Sequence, residues 1–252
     1  MSEKRLDGRV ALVTGASKGL GKAMALALAK AGARLALVSR NAALLNETAA
    51  AIRAGGAEAE VFRADVSQEA EVLALEKAVS AHFGKVRILI NNAGINLRKP
   101  ITEFTLEEWN RVQATNVTSV FLMCRSFVPH LQGQGYGRII NLTSTMSHVA
   151  LPGRTAYATS KTALLGLTRA LALELAPERV TVNGLSPGPF ATELNKPLLD
   201  SPELTQFFLS RVPLGSWGQP EDIGELAVFL CSESARFITG TDIVIDGGWC
   251  AQ

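Results

Sequence analysis

Tyr157 and Lys161 stand four residues apart in a stretch whose apolar spacing predicts a helix over 156–176, so both side chains leave one helix face. A free phenol titrates near pH 10, too high for a good base at neutrality. An ammonium one turn away is expected to favour the phenolate and lower that value. Such a pair can give a proton to a carbonyl oxygen or take one from an alcohol. Ser144, just past a predicted strand over 138–142, adds a hydroxyl able to hold the reacting oxygen and stabilise its developing charge. No Gly-x-Ser-x-Gly elbow surrounds it, which argues against a hydrolase nucleophile. Asn116 falls inside a long predicted helix, where an amide buried without a partner would be costly. Taken singly, each has an ordinary explanation: a surface helix pair, a cap, a solvated amide. Their conjunction points to proton transfer.

The elements that must position them alternate along the chain. β-branched or apolar runs predict strands over 10–13, 34–38, 59–63, 88–90, 138–142, 180–185 and 243–245. Helical spacing of apolar residues occupies 20–31, 42–54, 69–83, 106–131, 156–176 and 220–230, with Gly32 and Gly84 closing the first and third. Continuous apolar strands alternating with helices imply an α/β fold: a doubly wound (Rossmann) parallel sheet of seven strands with helices on both faces. Ligands then sit beyond the carboxyl ends of the strands. No linker or repeat interrupts the 252 residues, so one dinucleotide-binding catalytic domain spanning 1–252 is expected. The connection from Gly188 to Pro213 carries four prolines and is long for a compact domain, so 189–213 is expected to be a lid over the substrate.

The first strand runs into Thr14-Gly15-Ala16-Ser17-Lys18-Gly19-Leu20-Gly21. Gly15 permits a tight turn; Gly19 and Gly21 let backbone approach a pyrophosphate at a helix N-terminus, whose free N–H groups and dipole favour phosphate. Ser17, Lys18 and Leu20 share this turn. An NAD site usually places an acid at the end of the second strand for the ribose 2′-hydroxyl. Here the strand ends Ser39-Arg40, which can hydrogen-bond a 2′-phosphate. NADP(H) is therefore expected in preference to NAD(H).

These pieces, with Asn91-Asn92-Ala93-Gly94, Asn116, Ser144, Tyr157-x-x-x-Lys161 and Pro187-Gly188, resemble the short-chain dehydrogenase/reductase family from about Gly8 to Gly248. The resemblance implies an oxidoreductase that moves hydride between nicotinamide and a carbonyl or secondary alcohol. In it Lys161 also holds the nicotinamide ribose, Asn116 helps relay a proton through water, and Asp65 and Val66 contact the adenine. Asn92, Ala93 and Gly94 line the cofactor, Pro187 and Gly188 face the nicotinamide amide, and Thr192 partners that amide or the phosphates. Without the resemblance, Asp65 would read as a helix cap. The family also implies a homotetramer.

The runs Asn91 to Pro100 and Pro187 to Glu193 resemble family members acting on sugar acids, such as gluconate 5-dehydrogenases, which makes a keto sugar acid or polyol the expected substrate class. Asn96, Arg98, Lys99, His148 and Arg154 lie in the segments that should meet substrate; two of them facing inward would favour an anionic or hydroxylated compound, though His148 itself reads more simply as a loop histidine. 3-Oxoacyl-carrier-protein reductase is the enzymatic alternative, but Ser126 to Gly133 has no Lys or Arg, whereas an acidic carrier calls for a basic docking face. A non-catalytic NADP(H)-binding regulator is disfavoured because all four reactive residues are present.

A net charge of +2 gives no footing for nucleic acid or an anionic membrane. The charged first seven residues are followed by no apolar segment, so a secretory leader is not expected. Three cysteines without ligand spacing suggest reduced thiols in a cytoplasmic protein and no metal.

Overall fold

Alternate residues of the central strands point to opposite faces of a sheet, and here both sets are apolar. In the computed structural model, which describes residues 5–193 and 195–252, that sheet has seven parallel strands. They are β1 (Val10–Thr14), β2 (Arg34–Ser39), β3 (Ala59–Arg63), β4 (Ile88–Asn91), β5 (Gly137–Leu142), β6 (Val180–Pro187) and β7 (Asp242–Ile245). Their order is β3-β2-β1-β4-β5-β6-β7. Residues 1–4, on which part of the leader expectation rests, and Leu194, inside the long connection, lie outside the described residues.

Ala11, Val13, Leu35, Leu37, Ile88 and Ile90 face one layer of helices, α1 (Gly19–Lys30), α2 (Ala42–Ala54) and α9 (Pro220–Cys231). Leu12, Ala36, Val38, Leu89 and Ile139 face the other. That second layer holds α3 (Glu69–Phe83), α5 (Ser119–Leu131) and α6 (Thr155–Leu175). With both faces covered, only the strand ends are left for a ligand. The layers part between β1 and β4, where the strand order reverses and a crevice opens at the carboxyl ends.

The expected strands and helices are found, with small shifts at their ends. Two features differ. The single helix expected over 106–131 is two, α4 (Leu106–Gln113) and α5, joined by a π-helical turn, Ala114–Thr118, that carries Asn116. The extra residue of that turn swings Asn116 inward, where its amide satisfies both polar groups of Ile95: Oδ1 accepts from Ile95 N–H at 2.8 Å, and Nδ2 donates to Ile95 C=O at 2.9 Å. The long connection over 189–213 holds two short helices, α7 (Lys196–Leu199) and α8 (Pro202–Leu209). Pro197 and Pro202 sit in the first turns of these helices, where a missing N–H costs nothing.

Among the described residues no helix is long and apolar enough to cross a membrane, and no cluster of His, Cys, Asp and Glu could hold a metal. Cys124 and Cys231 are buried and unpaired, and burial pushes each thiol up to about 12.

Phe127 is the largest fully buried side chain, on α5 against the sheet. Phe127→Ala is expected to cost about 3–5 kcal/mol of stability, read from the denaturant midpoint.

Candidate active site

The crevice is tied together from below by Thr14 and Asn92. Thr14 Oγ1 accepts from the N–H groups of Asn92 and Ala93, both at 3.0 Å, and donates to Ile90 C=O at 3.3 Å. The Asn92 amide donates to Thr14 C=O at 2.9 Å and to Gly15 C=O at 3.3 Å. Asn92 therefore lines the crevice while its amide holds the glycine turn. Gly15 has φ +66°, and a Cβ on Gly21 would lie 2.3 Å from Gly15 O, so α1 could not start this close to the turn with a larger residue. The Ser39 hydroxyl donates to Ser17 Oγ at 3.1 Å, joining the end of β2 to the same turn.

From here a cleft of about 340 Å³ runs to the N-terminus of α6. Every residue expected to meet the cofactor lines it, from Gly15, Ser17, Lys18, Gly19, Leu20 and Gly21 to Pro187, Gly188 and Thr192. Ser39, Arg40, Asp65, Val66, Ala93 and Gly94 also line it, as do Ser144, Tyr157 and Lys161. Asn116 does not. It lies fully buried behind the wall, where Nδ2 also donates to Ser160 Oγ at 2.9 Å, and Ser160 in turn donates to Tyr157 C=O at 2.7 Å. Its side chain is thus committed to bracing Ile95 and the first turn of α6. Ser160 had no sequence signal beyond its place between Tyr157 and Lys161.

At the far end Tyr157 is partly open to the cleft beside Ser144. Ser144 begins a short turn, Thr145–Ser147, and its Oγ accepts from Met146 N–H at 3.2 Å. The hydroxyl also acts on the neighbouring Tyr157 phenol. Lys161 is buried, with Nζ 2.5 Å from Leu142 C=O, its one protein acceptor among the described residues. An ammonium has three donors, so two remain for hydroxyls in the cleft. Those donors, the uncovered N-terminus of α1 and the glycine turn fit a dinucleotide. α6 itself is pinned by a buried amide chain: Asn91 Nδ2 donates to Asn141 Oδ1 at 2.9 Å, and Asn141 Nδ2 to Thr168 Oγ1 at 3.0 Å.

Comparison with known proteins agrees with this geometry. A family model described as enoyl-(acyl carrier protein) reductase matches residues 15–250. A short-chain type dehydrogenase/reductase from Mycobacterium marinum is 39% identical, with a TM-score of 0.92 over 98% of this chain and 97% of that one. The chain belongs to the short-chain dehydrogenase/reductase family. Gluconate 5-dehydrogenase from Gluconobacter oxydans is 38% identical over 96% of this chain and 95% of its own. A gluconate 5-dehydrogenase from Burkholderia cenocepacia, solved with NADP and tartrate, is 35% identical with a TM-score of 0.94, covering 99% and 98%.

In this short-chain dehydrogenase/reductase several expectations need correction. Lys161 was expected to pull Tyr157 toward the phenolate. Burial instead raises the phenol, outweighing Ser144 and the guanidiniums of Arg154 and Arg98, which act to lower it. Lys161 Nζ lies 5.8 Å from the ring centroid, and burial lowers that ammonium itself to about 8. Asp65 lines the cleft, as expected, and does not cap α3, which follows Gln68; its carboxylate accepts from Ser67 N–H and Oγ–H at 3.0 and 2.7 Å. It also pairs with Arg40 at 3.5 Å. Of the substrate-facing candidates, Asn96, Arg98 and Arg154 line the cleft and Lys99 does not, while His148 stands in the loop after the Thr145–Ser147 turn, as expected of it. Lys99 is drawn off by Glu108 at 2.5 Å, which holds that carboxyl down to about 2.

The chain has two tyrosines, and burial raises both Tyr136 and Tyr157. A raised phenol keeps its proton to higher pH, so tyrosinate absorbance of the protein without cofactor is expected only above about pH 10. An alkaline titration followed in the near ultraviolet checks this, and Tyr157→Phe identifies the contribution of that residue.

Proposed function

We propose that this oxidoreductase uses NADP(H) to interconvert a small keto sugar acid and its hydroxy acid. The observation that carries the reading is a pair of guanidiniums at the substrate end of the cleft. Arg98 and Arg154 lie close enough to act on each other and on Tyr157, and neither pairs with a carboxylate among the described residues. Burial, then Arg98, pulls Arg154 down to about 10. Two partly desolvated positive groups beside the proton donor are relieved by an anion, and a carboxylate can take paired hydrogen bonds from a guanidinium. Arg98 also reaches Asn195 Oδ1 at 3.2 Å, which steadies it against the segment leading into α7. Asn96 Oδ1 and Trp217 Nε1 are buried without partners among the described residues, on side chains that line the same cleft; substrate hydroxyls would complement them. The likeness to gluconate 5-dehydrogenases, one of them holding NADP and tartrate, points the same way.

At the other end Arg40, well exposed and sharing Asp65, is the group that would take a 2′-phosphate, with Ser39 adding a hydroxyl. NADPH, when bound, supplies hydride to the substrate carbon. Ser144 then holds the substrate oxygen, and Tyr157 gives that oxygen its proton. Lys161 directs two N–H donors toward hydroxyls in the cleft. Asn116, behind the wall, keeps Ile95 and the start of α6 in register. The segment over 189–213 acts as the lid, with Phe190, Leu198 and Phe208 contributing its inner face. One domain performs all of this. The family resemblance, with exposed Phe121 on α5 and Leu173 on α6, supports a homotetramer, which sedimentation tests. The unpaired cysteines suit a cytoplasmic setting.

A turnover screen with NADPH and NADH against keto sugar acids, 3-oxoacyl thioesters, cyclic ketones and diketones tests the substrate class; preference for an uncharged ketone would overturn it. Tyr157→Phe is expected to slow carbonyl reduction at least about a hundredfold with NADPH binding retained. Arg98→Ala and Arg154→Ala are each expected to raise KM for the acid about tenfold or more, while leaving an uncharged ketone little affected. Arg40→Ala is expected to weaken NADPH about tenfold and spare NADH, measured by cofactor fluorescence.

A further inference from the structure

Asp242 opens β7, the edge strand, yet its side chain is only 8% exposed. A buried carboxylate must be fully hydrogen-bonded to be tolerated, and this one is. Its Oδ1 accepts from Thr143 Oγ–H at 2.6 Å, and its Oδ2 accepts from Ser186 Oγ–H at 2.6 Å. The Nε2 of His148 approaches Oδ2 at 2.5 Å.

The three partners belong to the two walls of the cleft. Thr143 directly precedes Ser144, and His148 follows the short turn that Ser144 begins. Ser186 directly precedes Pro187 and Gly188, at the end of β6. The Thr143 and Ser186 hydroxyls are also 2.9 Å apart, so the carboxylate closes a compact ring between β5 and β6. The backbone makes room for it. Gly184 is the register partner of Asp242 on β6, and a Cβ there would lie 2.1 Å from Asp242 Oδ1. Residue 184 must therefore be glycine for the carboxylate to sit where it does.

Asp242, Ser186 and His148 stand behind the walls and do not line the cleft. We propose that Asp242, closed from outside by His148, is a positioning residue for the reaction: it sets the distance between the Ser144 wall and the Pro187-Gly188 wall. The proposal rests on the reading of this cleft as the oxidoreductase site. Its chemical content is narrow. The carboxylate ties together the segment that holds the substrate oxygen and the one expected to face the nicotinamide, so loosening it misaligns carbonyl and hydride without removing a reacting group. A misplacement of about 1 Å in such an arrangement can cost about a hundredfold in rate.

The test compares Asp242→Ala, His148→Ala and His148→Gln with the unaltered protein, using a carbonyl that the unaltered protein reduces and an uncharged ketone beside it. For His148→Ala, kcat is expected to fall about tenfold on both substrates, with NADPH affinity within twofold, since the glycine turn and Arg40 lie at the other end of the cleft. His148→Gln retains a side-chain N–H that can reach Asp242 and is expected to recover most of that loss. Asp242→Ala is expected to be slower still, by about a hundredfold where it folds. Because His148 is partly exposed at a loop, its variants keep the test open if Asp242→Ala does not fold. Unchanged kcat in His148→Ala would overturn the proposal. So would a loss in His148→Gln equal to that in His148→Ala, or a loss carried entirely by KM for NADPH. An effect confined to acid substrates belongs to Arg98 and Arg154 instead, and absence of turnover in the unaltered protein would count against the functional reading of the cleft.

Discussion

The crevice between β1 and β4 has to stay open while the strands beside it stay paired. Helices leave β1 and β4 toward opposite faces, so nothing apolar fills the gap at their carboxyl ends. Thr14 and Asn92 meet that constraint with hydrogen bonds that close the floor and leave the top free. Gly15 and Gly21 then let the backbone of the turn and the start of α1 come within contact distance of Asn92. A single larger residue here would push α1 away from the strand ends, and the N–H groups it offers to phosphate would move with it.

The second constraint is electrostatic. Lys161, Arg98 and Arg154 all lose hydration at one end of the cleft, and burial shifts each of them toward its neutral form. A net charge of +2 for the whole chain gives no hint of this concentration. The cost of gathering like charges is accepted where a ligand can offset it, which is why such clusters mark sites. Tyr157 feels the same burial in the opposite sense: its neutral phenol is favoured, which suits a proton donor to a carbonyl oxygen. The other end of the cleft differs. There Arg40 remains in solvent and shares its charge with Asp65, whose carboxyl burial would raise but Ser67 and Arg40 together lower.

Polar groups inside the protein share one task, holding α6 and the strand ends in fixed relation. The chain from Asn91 through Asn141 to Thr168 anchors the middle of α6, while Asn116 and Ser160 brace its first turn. Each bond lies in a region of low dielectric, where a lost partner leaves a desolvated amide or hydroxyl. The reacting groups can therefore be few, because the groups behind them are numerous and tied to one another.

The order of strands and helices, the glycine turn and the Tyr157–Lys161 spacing were all legible in the sequence, because hydrophobic period and local backbone demands are written in neighbouring residues. The set of residues that line the cleft was legible for the same reason: it consists of short segments at strand ends. What the sequence could not settle was every outcome that depends on residues far apart in the chain. The inward turn of Asn116, the diversion of Lys99 to Glu108 and the burial that raises Tyr157 belong to this class. So do the meeting of Arg98 with Arg154 and the capture of His148 by Asp242, 94 residues away. Local spacing tells which face of an element a side chain leaves from. Only packing decides what it meets there, how much water it loses and which of its charges survive.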